Sequence, residues 1–183
     1  KIVDAKGQVL YQNGQWTKEA GGTAAMRVGI AMMATPTGQA TFDTIANSST
    51  KVQIELSQKV KLSDDGSSLI RGEMMPGNIA LSDGGQVELL DGKITIFEGS
   101  LKAELNGEIV TSDKTSALIK SLPENIALDG AIGSVAVHEG IHMTKENIQQ
   151  QYDNIQKKGN NDIEKDPINA QNKYLVELNK NQK

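Results

Sequence analysis

Apolar and polar residues alternate through the middle of the chain. In KVQIELSQKVKL the apolar positions are Val52, Ile54 and Leu56, followed by Val60 and Leu62. A period of two places such side chains on one face of a strand and the polar ones on the other. The apolar runs are separated by DDG, MPGN, SDGG and LDGK, all of them turn formers. QVELLDGKITIF has the form of a hairpin with Asp91-Gly92 in its turn. Residues 51–110 are therefore expected to form a small, mostly antiparallel sheet.

The pattern turns helical from residue 111. TSDKTSALIKSL predicts a helix with Thr111 or Ser112 as N-cap and Pro123 as its stop. The segment from Leu128 to Asn161 predicts a long helix, with Asp129 at its start and Lys157, Lys158 and Gly159 at its end. It exceeds six turns or bends near Lys145. A last helix is expected in DIEKDPINAQNKYLVELNK, with Asp166-Pro167 as N-cap and first position and Ile168, Leu175 and Leu178 on its apolar face. Before residue 51 the periodicity is weak. AAMRVGIAMMA predicts a short helix ending before Pro36, and ATFDTIANSST a helical turn or a loop. The division expected from this is an N-terminal segment, 1–34, weakly structured or a short helix, and a domain, 35–183, with its sheet at 51–110 and helices at 111–183.

Bulk properties narrow the function. With 183 residues, 37% of them hydrophobic, the chain can bury one sizeable core. Only 3% are aromatic, so aliphatic residues and Met must build it. A net charge of −4 offers no bulk attraction to nucleic-acid phosphates. No apolar run approaches the roughly 20 residues that span a bilayer; MRVGIAMMATP is too short and carries Arg27. The absence of cysteine excludes disulfides and thiolate metal sites. The chain starts at Lys1 without a signal-like segment, which reads as a piece of a longer polypeptide.

Both histidines fall in one short stretch, GSVAVHEGIHMTKENI. With two histidines in 183 positions, a spacing of four arises by chance in about 1% of arrangements, before the glutamate between them is required. On a helix His138 and His142 share a face, about 5–6 Å apart at Cβ, so both can reach one metal ion. Glu139 is rotated about 100° from His138, beside the metal. From Ala131 to Thr144 these three are the only ionisable side chains, as expected of a buried helix with one polar edge on a cleft. The chemistry such a motif serves is hydrolysis: Zn2+ lowers the pKa of its water to about 7 and the glutamate takes the proton as water attacks a carbonyl.

VAVHEGIH resembles the active-site helix of the zincin metallopeptidases. Together with GQATFDTIANSST, KITIFEGSLK, DGAIGSVAVHEGIH and DPINAQNKYLVEL it is similar to metallopeptidase-like toxin domains at the C-termini of large secreted bacterial exoproteins, of the filamentous-haemagglutinin and contact-dependent inhibition type. The resemblance implies an α+β zincin-like fold, a small sheet followed by the active-site helix and a C-terminal helix. It implies a zinc metallopeptidase that acts on a protein or peptide substrate inside a target cell after secretion and delivery, and a small cognate immunity protein in the producer. It further implies a third, acidic zinc ligand on a downstream helix. Glu146 is too close, which leaves Asp162, Glu164, Asp166 and Glu177. Glu164, 22 residues after His142, resembles the glutamate of a Glu-x-x-Ala-Tyr-x-x-Gln pattern, with Gln171 in the place of the glutamine. Asp166 is the alternative, although an N-cap role also accounts for it. Tyr152, Tyr174 and Arg71 are candidates for stabilising the transition state. KITIFEGS, the last clear strand before the motif, is the candidate edge strand for substrate. Two other readings remain open: a non-catalytic binding module with a vestigial metal site, and a zinc hydrolase of a non-peptide substrate.

Overall fold

A computed structural model describes residues 1–182. The chain begins with three short strands, β1 (Ile2–Val3), β2 (Val9–Gln12) and β3 (Gln15–Trp16), and two helices, α1 (Ala24–Met32) and α2 (Pro36–Asn47). The strands β4 (Lys51–Ser57), β5 (Lys61–Leu62), β6 (Leu69–Ile70), β7 (Gly72–Pro76), β8 (Ile79–Leu81), β9 (Val87–Leu89) and β10 (Asp91–Phe97) follow. The rest is helical: α3 (Glu98–Leu105), α4 (Lys114–Lys120), α5 (Glu124–His142), α6 (Lys145–Ile155) and α7 (Lys165–Lys180). The fold is α+β and its strand pairs are mostly antiparallel. Six strands form one sheet in the order β3-β2-β1-β4-β10-β7; β5–β6 and β8–β9 are separate hairpins. Among the described residues, β1–β4 and β4–β10 are the pairs that run parallel.

The alternation over residues 52–56 becomes β4, with Val52 and Ile54 buried. The expected hairpin around Asp91-Gly92 does not form. Both residues lie inside β10, which pairs with β4 and β7, while β9 pairs with β8. The Asp91 carboxylate instead accepts hydrogen bonds from the backbone N–H and the side-chain amide of Asn78, at 3.1 and 2.8 Å. An aspartate that looks local thus closes a turn 13 residues away. KITIF is likewise not an edge. β10 lies between β4 and β7, and Ile94, Thr95, Ile96 and Phe97 are all buried. The edge is β7. Phe97 N–H donates to Arg71 O, so in this antiparallel ladder the backbone groups of Gly72, Met74 and Pro76 face outward. Pro76 has no N–H to leave unpaired there.

Residues 1–34 are more ordered than expected: β1 sits in the middle of the sheet beside β4, and Ile2, Leu10, Val28 and Met32 join the common core. Pro36 opens α2 and Thr35 caps it, its hydroxyl accepting from Gly38 N at 3.1 Å. Three helix starts differ from expectation. Asp113, not Thr111 or Ser112, caps α4, its carboxylate 2.7 Å from Ser116 N. The long helix begins at Glu124 behind Pro123, and Asp129 lies in its interior, paired with Arg27. It ends at His142; the chain turns at Met143, and Thr144 caps α6. Asp166 is exposed in the first turn of α7 and does not cap it, and Ile168 is exposed rather than packed.

α5 is the central pillar. It packs on α1, α2 and α7 along one flank and on β7 and β10 along the other. Ala131, Ile132, Val135, Ala136 and Val137 are all buried. No described helix is long and apolar enough to cross a membrane.

Candidate metal centre

The last turns of α5 carry the histidines to the surface end of the core. Their Nε2 atoms lie 3.2 Å apart. Glu164, just before α7, brings one carboxylate to both: Oε2 is 3.2 Å from His138 Nε2 and Oε1 3.3 Å from His142 Nε2. Donor atoms about 2.0–2.1 Å from a tetrahedral ion stand about 3.3–3.4 Å from one another, so these spacings fit a shared ion. Two imidazoles and a carboxylate, with no thiolate, make a three-ligand set that leaves a fourth position open. A cleft of about 400 Å³ opens over them, with Glu73 and Met74 on one side and Gln151 and Ile163 on the other.

Glu139 completes a group of ligand-capable atoms with the two histidines, all within 4.8 Å of one another. Glu164 rather than Glu139 is the better third ligand, because its oxygens already touch both Nε2 atoms. Glu139 instead faces β7 and is 6% exposed. A Cβ on Gly72 would lie 2.4 Å from Val135 Cγ1 and 3.0 Å from Glu139 Oε1, so only glycine lets the strand come this close. Burial pushes the Glu139 carboxyl up to about 7; the His138 imidazole opposes this, Glu164 and Glu73 add to it, and the Met74 N–H opposes it. Glu164 is held below the ordinary carboxylate range, first by hydrogen bonding to His138. Two carboxyls beside the same pair of histidines are thus driven in opposite directions, one down and one up.

The other acidic candidates are elsewhere. Asp162 is exposed and accepts from Glu164 N–H at 3.2 Å. Glu177 accepts from the N–H and hydroxyl of Thr37, tying α7 to α2. Asp166 and Glu146 make no contact with either histidine among the described residues. The candidates for transition-state stabilisation are not brought to the cleft either. Tyr174 is fully buried, its hydroxyl donating to Ala31 O at 2.6 Å, and burial raises its pKa. Tyr152 packs against the core from α6. Arg71 is committed to Glu104 and Asp113, at 2.8 and 3.0 Å. Gln171 is buried beside Ser134, 3.4 Å from its hydroxyl.

Sequence reasoning passes over Asn147 and Gln151. Asn147 Oδ1 is 3.1 Å from His142 Nδ1, and Gln151 Nε2 donates to that oxygen and to His142 O. The one signal in the chain is their spacing of four directly after the capping Thr144. A larger cavity, about 830 Å³, lies by Arg27, Ile30, Leu56 and Ile126. It contains neither histidine nor Glu139 nor Glu164, so chemistry rather than size identifies the centre.

No protein-family model, no curated protein and no solved structure matches this chain.

Proposed function

We propose that the chain is a zinc-dependent metallopeptidase of zincin type, the toxic C-terminal domain of a secreted bacterial exoprotein. The convergence of His138, His142 and Glu164 at 3.2–3.3 Å, with Glu139 buried beside them, carries the enzymatic part. His138, His142 and Glu164 would hold the ion. A zinc ion bound there supplies a Lewis acid that brings the pKa of a water to about 7 and takes up charge developing on a carbonyl oxygen.

The residues of the chain do the rest. Glu139, buried beside the histidines, accepts the proton of the attacking water and returns it to the leaving amine. Apart from the Met74 N–H, which is turned to Glu139, β7 presents outward backbone groups of Gly72 and Met74 along the same cleft, where an extended peptide can add to the sheet. Gly72 and Met74, two of the three outward-facing residues, border the cleft with Glu139. Among the described residues the cleft lining contains no Tyr, Arg or Lys. The delivery and toxin parts of the proposal rest on the resemblance of the motif-bearing stretches, as does the expected immunity protein.

The test is a Glu139→Gln variant beside wild type. Zinc content should remain at one ion per chain while peptide hydrolysis, and growth arrest of cells making the chain, fall by about 10²–10⁴. Full activity in a zinc-loaded Glu139→Gln protein would end the peptidase reading. A wild-type chain that takes up no zinc would end the metal reading as well.

A further inference from the structure

We infer that Asn147 is the positioning residue of this centre: one buried amide sets the tautomer of His142 and anchors the segment that presents Glu164. The inference rests on the metal reading of the site given above.

Asn147 is 3% exposed, so each polar atom of its amide needs a partner. Nδ2 donates to Ile163 O at 2.9 Å, and Ile163 directly precedes Glu164. Oδ1 accepts from Gln151 Nε2 at 2.7 Å and lies 3.1 Å from His142 Nδ1. These partners fix which way the amide faces. A flipped amide would set its NH2 against the NH2 of Gln151 and its oxygen against the oxygen of Ile163, two repulsive contacts in place of two bonds. With oxygen toward His142, the ring nitrogen facing it must carry the proton. His142 is therefore the Nδ1–H tautomer, and Nε2 presents its lone pair to the cleft 3.3 Å from Glu164.

The placement follows from the helix break. After His142 the chain turns, Thr144 caps α6 with its hydroxyl 3.4 Å from Asn147 N, and the first turn of α6 swings back under the second histidine. An uninterrupted helix would carry residue 147 one turn further along the axis and away from the ring. The other end of the same amide holds the chain 16 residues later. His142 and Glu164, on separate elements, are thus aligned through one side chain. His138 has no such partner: its Nδ1 is buried and without a hydrogen bond among the described residues. The two imidazoles are therefore positioned unequally: both meet Glu164 through Nε2, but only His142 is also held at Nδ1.

The experiment uses the whole chain, as wild type, Asn147→Leu and Asn147→Asp. Ring 15N–1H correlation spectra of the metal-free proteins in alkaline buffer report the His142 tautomer, and zinc competition against a chromophoric chelator reports affinity. Wild type should show His142 as Nδ1–H alone. Asn147→Leu, with neither acceptor nor donor, should show mixed tautomers and bind zinc about tenfold to hundredfold more weakly. Asn147→Asp keeps the acceptor but sets an oxygen against Ile163 O; it should keep the Nδ1–H signature and still lose affinity. An Nε2–H tautomer in wild type overturns the inference, as does wild-type tautomer and affinity in folded Asn147→Leu. Unchanged affinity in Asn147→Asp would overturn the coupling to Glu164. If Asn147→Leu does not fold, wild type and Asn147→Asp decide the matter. The tautomer is read without metal or substrate, so a failed peptidase assay beside the expected spectra counts against the proposed function alone.

Discussion

Gly72→Ala tests whether the edge strand and the motif helix are pressed together. The added Cβ would stand 2.4 Å from Val135 Cγ1, where carbon atoms ordinarily approach to about 3.5–4.0 Å. β7 and α5 must therefore part by about 1 Å. Overpacking of this kind costs about 1–3 kcal/mol. For a chain of this size that lowers Tm by roughly 2–4 °C per kcal/mol. The functional cost should be the larger one, because the displaced strand carries the outward groups of Gly72 and Met74 past Glu139, and a misplacement of about 1 Å can cost about 10² in rate. Zinc binding should be unaffected, since none of the three ligands is on β7. Melting by circular dichroism, zinc content and hydrolysis of a peptide substrate measure the three effects. Val135→Ala added to Gly72→Ala removes the colliding methyl and should recover part of the stability, leaving the approaches to Glu139 Oε1 and Cγ at 3.0 and 3.2 Å. A Gly72→Ala protein with wild-type melting and activity would refute the close packing of β7 on α5, and with it the use of β7 as the substrate edge.

Glu164→Ala should lower zinc affinity by at least tenfold while Asp166→Ala leaves it unchanged, as read by zinc competition; the reverse result would exchange their roles. Glu104 is fully buried with Arg71: burial opposes its charge, but hydrogen bonds from Arg71, Ser116 and Thr111 hold its carboxyl at about 2 against an ordinary 4.5. The unfolded chain then takes up this proton at the higher pH. The stabilisation, about 3 kcal/mol, is complete above pH 4.5 and disappears as pH falls toward 2; urea melts across that window should show a steeper loss in wild type than in Glu104→Gln, and parallel curves would contradict this. Tyr174→Phe removes one donor from Ala31 O, which keeps the Ala34 N–H at 3.3 Å, and should cost about 0.5–1.5 kcal/mol with zinc content and hydrolysis unchanged; an inactive but fully stable variant would return Tyr174 to the site.

Legibility in the chain follows how local each cause is. The pairing of His138, Glu139 and His142 could be read because a helix alone fixes which of them share a face. β4 could be read because alternation is a property of the strand itself. Asp91-Gly92 misled because a dipeptide with the composition of a hairpin turn serves a distant turn instead, through the Asp91 contacts to Asn78. The roles of Tyr152, Tyr174 and Arg71 depended on which face of each element packs inward, which no local pattern states. Asn147 depended on a helix break at Met143, where neither Pro nor Gly interrupts the sequence, so the expected bend near Lys145 located the break but not what it places beside His142.

The edge strand is a different case, because the pattern did contain the answer. KITIF follows the turn closely and precedes the helices, and order along the chain suggested an edge. In the structure Ile94, Thr95, Ile96 and Phe97 are all buried, so β10 is covered on both faces although Lys93 and Thr95 keep a polar alternation that reads as one exposed face. GEMMP, by contrast, is half-buried and ends in a proline, which an interior strand does not tolerate at a ladder position. Composition within the strand was the stronger guide than position in the chain. The consequence is functional: because β10 is enclosed, the edge backbone beside Glu139 belongs to β7, and the residue at its start, Gly72, is the one whose missing Cβ lets the strand and the buried carboxylate share a wall of the cleft.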